Sequence, residues 1–453
     1  MPIKLNFRTQ PYNFTLGVIM ELVEILDRSR LRGFHYILLA TCSLVYMLTA
    51  LNVMIIGAVV NPIAREFMLD TASISILLSM GFIGMFIGAI SFGRIADIIG
   101  RRRTLMIVLF IEAIFTALHG LAIDIYTLYF LRLIAGIGTG AALPQPGIYI
   151  SEYVPKDYRG RFLGIVETSW VYGALLSLLF PYLIIPLYGW RVSFIAGLLP
   201  LALIPIIGLY FPESIRYLVR VGRYDEVKSI LYGKGFIPAG EEVSIHAIEA
   251  ERRRVSDLFT PRYASRTILL AILWMALVYT YYAVFLWLPR FYAKTFGMGD
   301  VLSLYWVIII TLFQIPGYYS ATFLLDRVGR KKVLAFYLIV AGVASWILGI
   351  YIDESWFLAW SIVISFFNLG AWAGLYTYTP ELFPTDIRGL GSGFSASMGR
   401  VAGILSPLFT GLLYSLYGLQ GPYIATSLIH IIGGLAVIFL GIETMGRSLE
   451  ELE

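Results

Sequence analysis

The sequence predicts an all-α membrane protein of twelve transmembrane helices arranged as two homologous six-helix halves, and three observations carry that prediction. Of its 453 residues, 58% are hydrophobic and only 14% charged, with a mean hydropathy of +0.79, which is too little polar material to cover a water-soluble surface. Twelve apolar runs each reach the roughly 20 residues that cross a bilayer as a helix. The chain also repeats itself. Asp97 and Gly100-Arg101 recur as Asp326 and Gly329-Arg330, the set Glu152, Pro155, Asp157, Arg159 and Gly160 recurs as Glu381, Pro384, Asp386, Arg388 and Gly389, and Leu187-Tyr188-Gly189 recurs as Leu416-Tyr417-Gly418, every pair 229 positions apart. A constant offset over that length marks two halves in parallel order, and membrane proteins of that build place a solute site between the halves.

Taken in order, residues 1–32 form a tail in which Leu16, Val18, Ile19, Leu22, Ile25 and Leu26 alternate with Glu21, Glu24 and Asp27, a pattern that predicts an amphipathic helix lying on the membrane surface. The first half, 33–211, holds spans at 33–61, 73–93, 104–122, 125–149, 161–184 and 190–211. Residues 212–265 are the one long stretch of soluble composition; they link the halves and are expected to form short helices that cap one face. The second half, 266–443, holds spans at 266–289, 301–325, 333–351, 355–379, 390–416 and 421–442, and a short tail, 444–453, follows. Barrel strands would instead show alternating segments of roughly ten residues, which this chain lacks.

Lys and Arg divide 28 to four between the two sides, with Arg132 and Arg400 inside spans. By the positive-inside rule both termini and the central segment are expected to be cytoplasmic, in a multi-pass protein of the cell membrane. The net charge of +5 is then a topology signal and a source of attraction to lipid headgroups, not a nucleic-acid footprint. The single cysteine, Cys42, lies in the first span, which excludes a disulfide within the chain and a cysteine-cluster metal site. Four histidines and no nucleotide-binding loop argue against an enzyme. No cofactor or metal is called for, no cleavable signal peptide is apparent, and the chain is expected to act as a monomer with a small-molecule substrate, protons and the bilayer as its partners.

The repeated loop motifs have a physical reading. Asp97 at the end of one helix, facing Arg101 and the Glu152/Arg159 set on neighbouring helices, can form an ion-pair network that joins the helices of one half, as can Asp326, Arg330, Glu381 and Arg388 in the other. Such networks form a latch if they close in only one arrangement of the halves; otherwise they fix loop shape alone. Small residues four apart, Gly84/Gly88, Gly136/Gly140, Gly160/Gly164 and Gly389/Gly393, let helix backbones approach closely. Pro144, Pro146, Pro316 and Pro380 fall within or at the ends of spans, where they can bend helices that line a cavity.

At these motifs the chain resembles a known family. The run from Gly93 through Asp97 to Gly100-Arg101-Arg102 resembles the loop signature of the major facilitator superfamily, although Thr322 replaces the first glycine in the second copy. Pro212-Glu213-Ser214 and Glu443-Thr444 resemble the sugar-porter signatures at those places. The run Tyr376 to Gly389, continued to Arg400 and Pro407, is more similar to the branch that holds organic cation and anion transporters, synaptic vesicle proteins and bacterial nicotinate or aromatic-acid carriers. The resemblance implies the major facilitator fold and alternating access by rocking of two halves.

Four charged residues lie well inside spans: Glu112, Arg132, Glu167 and Arg400. A charge at the bilayer centre costs at least ~2.5 kcal/mol, so each should face a wet cavity or a partner. Glu167 stands six residues before Gly173, where the resemblance to sugar porters implies a substrate-binding glutamine, and Trp170 follows one turn on. Arg132 opens a segment resembling the arginine-glycine signature of span 4. In proton-coupled relatives that arginine faces an aspartate of span 1; here the matching position is Asn52, which cannot take up a proton. Glu112 or Glu167 then carries the proton, or the protein is a uniporter, and Glu112 can equally be a fixed partner of Arg132. Arg400 falls where the resemblance to organic-ion carriers implies a cavity arginine, and its forked guanidinium suits a carboxylate. Around it, Trp274, Tyr279, Tyr281, Tyr282, Trp287, Asn368, Trp372, Tyr376 and Tyr378 offer rings for a flat ligand, with packing as the ordinary role of most. The glutamine-rich span 7 of true sugar porters is missing, and Tyr282 stands about where an asparagine would.

The expectation is therefore a secondary active transporter that moves a small organic ion, rather a carboxylate or aromatic acid than a sugar, by alternating access coupled to protons. The alternatives are a sugar carrier, an organic-cation or drug exporter that uses Glu167, a uniporter, and a binding or sensor protein on a carrier fold that no longer transports.

Overall fold

The structure, a computed structural model, describes residues 25–27, 29–237, 254–384 and 387–446. The amphipathic helix expected in the N-terminal tail lies outside these residues apart from Ile25–Asp27, and so do Asp386 and Arg447.

Among the described residues twelve helices are long and apolar enough to cross a membrane: α1 Gly33–Glu66, α2 Thr71–Ile99, α3 Arg101–Leu121, α4 Ile125–Tyr153, α5 Lys156–Tyr188, α6 Trp190–Tyr210, α7 Ala264–Phe285, α8 Asp300–Val328, α9 Arg330–Ile350, α10 Glu354–Glu381, α11 Arg388–Tyr417 and α12 Gln420–Leu440. No strand occurs among the described residues. Two short helices, Ile215–Arg220 and Tyr224–Gly233, follow α6 on the face that carries the repeated loop motifs, called here the motif face. Another, Leu288–Thr295, follows α7 on the opposite face.

The helix starts are fixed by side chains that take up the free backbone N–H groups of the first turn. Asp70 accepts from Ser73 N at 2.8 Å ahead of α2, Asp124 from Thr127 N at 2.7 Å ahead of α4, and Asp353 from Ser355 N at 3.0 Å ahead of α10. Proline has no N–H to give the preceding turn. Accordingly α4 breaks at Leu143, just before Pro144, and α8 breaks at Phe313, three residues before Pro316, while α10 runs through Pro380 without interruption.

In lipid there is little hydrophobic force between apolar helices, and close approach of backbones is what holds them. On α2 and α4 a Cβ at Gly84 or Gly88 would run into the backbone of α4, and one at Gly136 or Gly140 into that of α2. These four glycines therefore set the contact. The other two pairs behave differently: a Cβ at Gly160, Gly164, Gly389 or Gly393 would meet nothing within 4 Å, so no helix packs against them here. Within the halves α1 packs on α5, α7 on α11 and α12, and α9 on α10 and α12; across the divide α2 packs along α11 and α5 along α8.

Candidate functional site

The motif face shows the internal repeat as chemistry. Gly100 and Gly329 precede α3 and α9 with φ of +96° and +108°, a conformation that favours glycine, and a Cβ at either would strike a glutamate carboxylate, that of Glu213 or Glu443. Those two glutamates seat on the helix N-termini, where a negative charge is favoured. Glu213 accepts from the N–H groups of Arg101 at 2.6 Å and Arg102 at 3.1 Å, and Glu443 from those of Arg330 at 2.9 Å and Lys331 at 3.2 Å. The neighbouring hydroxyls complete the match: Ser214 donates to Glu152 at 2.8 Å and Thr444 to Glu381 at 2.5 Å.

The ion pairs predicted among these motifs differ between the halves. In the second half Arg330 bridges Asp326 at 3.0 Å and Glu381 at 3.2 Å. In the first half Asp97 instead pairs with Arg220 of the linker at 3.2 Å, and Arg159 pairs with Asp27 at 2.5 Å. Arg101 meets Glu213 through its backbone N–H, and Arg388 donates to the Phe383 carbonyl at 3.3 Å. A Cβ at Gly93 would meet nothing within 4 Å. The linker supplies the partners of Asp97 and Arg101 because its short helices lie against the ends of α2 and α3, and the N-terminal tail supplies that of Arg159, an arrangement that spacing within the motifs does not reveal.

The hydrogen bonds and ion pairs that join the halves between described residues lie at the middle of the bundle or toward the opposite face. There Arg65 at the end of α1 makes a two-pronged pair with Asp300 at the start of α8. Asn61 donates to the Pro289 carbonyl at 3.1 Å and Ser79 to that of Ile404 at 3.0 Å. Gly57 of α1 lies against the backbone of Leu286, and the rings of Phe82 and Tyr282 meet with centroids 4.5 Å apart. The opposite face is sealed by these contacts.

Above the seal lies a cavity of roughly 230 Å³ lined by both halves. The first half contributes Tyr46, Phe82, Met85, Leu143, Pro144, Glu167, Trp170 and Val171, and the second Trp274, Val278, Tyr281, Tyr282, Tyr318, Leu369, Trp372, Tyr376 and the segment Ala396 to Gly403 of α11 that carries Arg400. The wall is thus part aromatic and part aliphatic, with two charged groups. Arg400 makes no hydrogen bond or ion pair with another described residue, and no N–O contact within 4 Å ties it to Glu167. Glu167 Oε2 accepts from the Tyr46 hydroxyl at 2.6 Å, and the Tyr46 and Tyr376 hydroxyls lie 3.2 Å apart, joining α1 to α10. Trp170 donates to the Tyr281 hydroxyl at 2.8 Å, again across the divide. The Trp372 indole N–H is buried with no partner among the described residues.

Of the sequence-predicted residues, the structure brings Glu167, Arg400, Trp170, Tyr282, Trp372 and Tyr376 to one cavity and leaves three elsewhere. Arg132 is buried inside the first half and donates to the backbone carbonyls of Asn52 at 3.1 Å and Val53 at 2.6 Å. The arginine therefore still reaches α1, but through main chain, while both polar atoms of the Asn52 side chain are without partners among the described residues. Glu112 is fully buried, accepts from the Thr49 hydroxyl at 3.0 Å and makes no ion pair with Arg132. Of the other aromatic and polar residues around Arg400, Trp274 and Tyr281 line the cavity, whereas Tyr279, Trp287, Asn368 and Tyr378 do not. Asn368 donates to Thr280 at 3.0 Å and Tyr378 to the Ile442 carbonyl at 2.6 Å. Sequence reasoning did not single out Tyr46 or Tyr318; one tyrosine among the apolar residues of a span carries no local signal, and only the position of Glu167 gives Tyr46 its role.

Comparison with known proteins agrees with this architecture. The family model described as sugar (and other) transporter matches residues 38–453. The niacin transporter NiaP of Acinetobacter baylyi is 34% identical over 96% of this chain and 100% of its own length. The gallate transporter of Pseudomonas putida is 28% identical over 90% of this chain and 92% of its own. Among solved structures, the inward-open xylose transporter XylE of E. coli superposes with a TM-score of 0.70 at 18% identity, covering 91% of this chain and 98% of that one. The chain belongs to the sugar (and other) transporter family of the major facilitator superfamily and is a transporter of multi-pass membrane build, not an enzyme.

Proposed function

We propose that the chain is a secondary active carrier of a small aromatic carboxylate, the class to which both niacin and gallate belong. The observation that carries this reading is Arg400. An arginine inside a membrane protein normally finds a counter-charge or a carbonyl, and this one, with no partner among the described residues, stands in a cavity whose remaining wall is aromatic and aliphatic and holds four tyrosines and three tryptophans besides Tyr46. A planar guanidinium accepts a carboxylate through two parallel hydrogen bonds, and the rings give a flat body faces to stack on. A sugar would leave the arginine charge unmatched.

With the basic motif face taken as cytoplasmic, the sealed opposite face is extracellular and the conformation is inward-facing. Transport then follows from rocking: the Arg65–Asp300 seal and the α2–α11 and α5–α8 contacts part on one side while the motif ends of the halves close on the other. The loop clusters around Glu213 and Glu443 keep each half rigid as it moves. Glu167 is the proton acceptor, since it lines the cavity whereas Glu112 does not and Asn52 cannot titrate.

Thermal stabilisation of the purified protein by nicotinate, benzoates, aliphatic acids, sugars and organic cations tests the reading. The expected result is a shift with aromatic carboxylates that disappears in Arg400→Ala and survives in part in Glu167→Gln. A shift confined to sugars, or to cations and dependent on Glu167 alone, would replace it.

A further inference from the structure

The two charges of the cavity come from opposite halves, Arg400 from α11 and Glu167 from α5. They make no pair with each other, and neither is neutralised by a neighbour: Arg400 has no partner among the described residues, and Glu167 has tyrosine hydroxyls in place of a cation. Tyr46 takes up Oε2 of Glu167 and the Tyr376 hydroxyl also lies beside the carboxyl, while Tyr46 leaves Oε1 as the oxygen to be answered. A ligand that answers Arg400 with a carboxylate but offers only hydrocarbon at its other end would press that oxygen against an apolar edge. Burying a polar group unpaired costs about 1–3 kcal/mol. A ligand with a polar atom on the ring meta to its carboxylate would pair both ends.

We propose that Glu167 is the specificity-determining residue of the site and that it selects aromatic carboxylates carrying a ring nitrogen or a hydroxyl meta to the carboxylate. This rests on the assignment of Arg400 to the carboxylate. One carboxyl group serves both kinds of ring: ionised, it accepts from a phenolic hydroxyl or a protonated ring nitrogen, and protonated, it donates to a neutral ring nitrogen. The tyrosine clamp holds it aimed at the cavity, as a binding group must be held to discriminate. Sites built to hydrogen-bond a substrate reject the analogue that lacks the group more strongly than apolar pockets reject a size change.

The test is equilibrium binding of benzoate, nicotinate and 3-hydroxybenzoate, the three probes being alike in size and in carboxylate, to the purified full chain as wild type, Glu167→Met and Arg400→Met. The expected result is that nicotinate, 3-hydroxybenzoate or both bind the wild type about tenfold or more tighter than benzoate, and that the ratio falls to near one in Glu167→Met. Whichever of the two probes holds the advantage identifies the ring group. Should Glu167→Met not accumulate, Glu167→Gln takes its place, with a several-fold narrowing expected because hydrogen bonds between neutral groups are roughly half as strong. Equal affinity for all three acids in the wild type, or a preference that persists undiminished in the Glu167 variants, overturns the proposal. Affinities unaffected by Arg400→Met, or no binding of any acid, would overturn the carboxylate reading first and this inference with it, so the two failures are told apart by the Arg400 arm.

Discussion

Gly57 offers the sharpest perturbation of the proposed equilibrium between two arrangements of the halves. It lies in the interior of α1, where its backbone is helical and needs no special conformation, yet it faces the other half. A Cβ there would stand 2.9 Å from the carbonyl oxygen of Leu286, 3.1 Å from its Cα and 3.2 Å from its Cδ2. The first contact is with backbone, so neither residue can rotate away, and the end of α7 must move back. Overpacking of this kind costs about 1–3 kcal/mol. The helix-propensity gain of Gly→Ala, about 1 kcal/mol, applies to both arrangements and cancels between them. Gly57→Ala should therefore shift the population away from the sealed form by roughly 5- to 150-fold, and Gly57→Val by more. Double electron–electron resonance between labels at the exposed positions Met68 and Thr295, one on each half at the opposite face, reads the shift directly after Cys42, buried in α1, is replaced by serine. The separation should lengthen from wild type to Ala to Val. Unchanged distance distributions in folded Gly57→Val would refute the claim that this face must part.

Three further outcomes follow from the geometry. Glu112→Gln keeps the Thr49 hydrogen bond and should retain uptake driven by an inward proton gradient, whereas Glu167→Gln should lose the gradient dependence; the reverse pattern in proteoliposomes would move the proton to Glu112. Asn52→Leu removes a fully buried amide with no partner for either polar atom among the described residues and should leave the thermal midpoint unchanged or raise it, by an amount worth about 1 kcal/mol or more; a clear fall would show that the amide has a partner in some other state. Hydrogen bonds from Ser73 hold the Asp70 carboxyl below its usual range, and those from Thr127 do the same for Asp124. A depressed native value means that the contribution is present above the unfolded carboxylate range and is lost as pH falls through the lowered value, so Asp70→Ala and Asp124→Ala should lower the thermal midpoint at neutral pH and match wild type in acid.

Hydropathy and the 229-residue repeat made the fold legible because spanning length and duplication are both written along the chain. Glu167 and Arg400 were legible for the same kind of reason: a charge within an apolar run must be answered by something, and here the answer is a cavity. Arg132 and Glu112 show the limit of that logic. Both satisfied the same rule, yet one is answered by main-chain carbonyls of α1 and the other by a threonine, partners that leave no mark in the pattern of charged residues. The loop glutamates are a second limit. Glu213 and Glu443 stood inside recognisable motifs, but each caps a helix that begins more than a hundred residues earlier, and only the packed fold explains why Gly100 and Gly329 must lack a side chain. Tyr46 was hidden in a run of apolar residues and acquires meaning only across the gap to Glu167 and Tyr376.

Counterflow in proteoliposomes is the most direct measurement of the central claim that the chain carries an aromatic carboxylate through the cavity containing Arg400. Vesicles loaded with unlabelled nicotinate or hydroxybenzoate and diluted into trace labelled acid should accumulate label transiently and saturably with the wild type, and should not with Arg400→Met. Binding of these acids with no accumulation of label above that in protein-free vesicles would contradict the claim and leave a binding protein on a carrier fold.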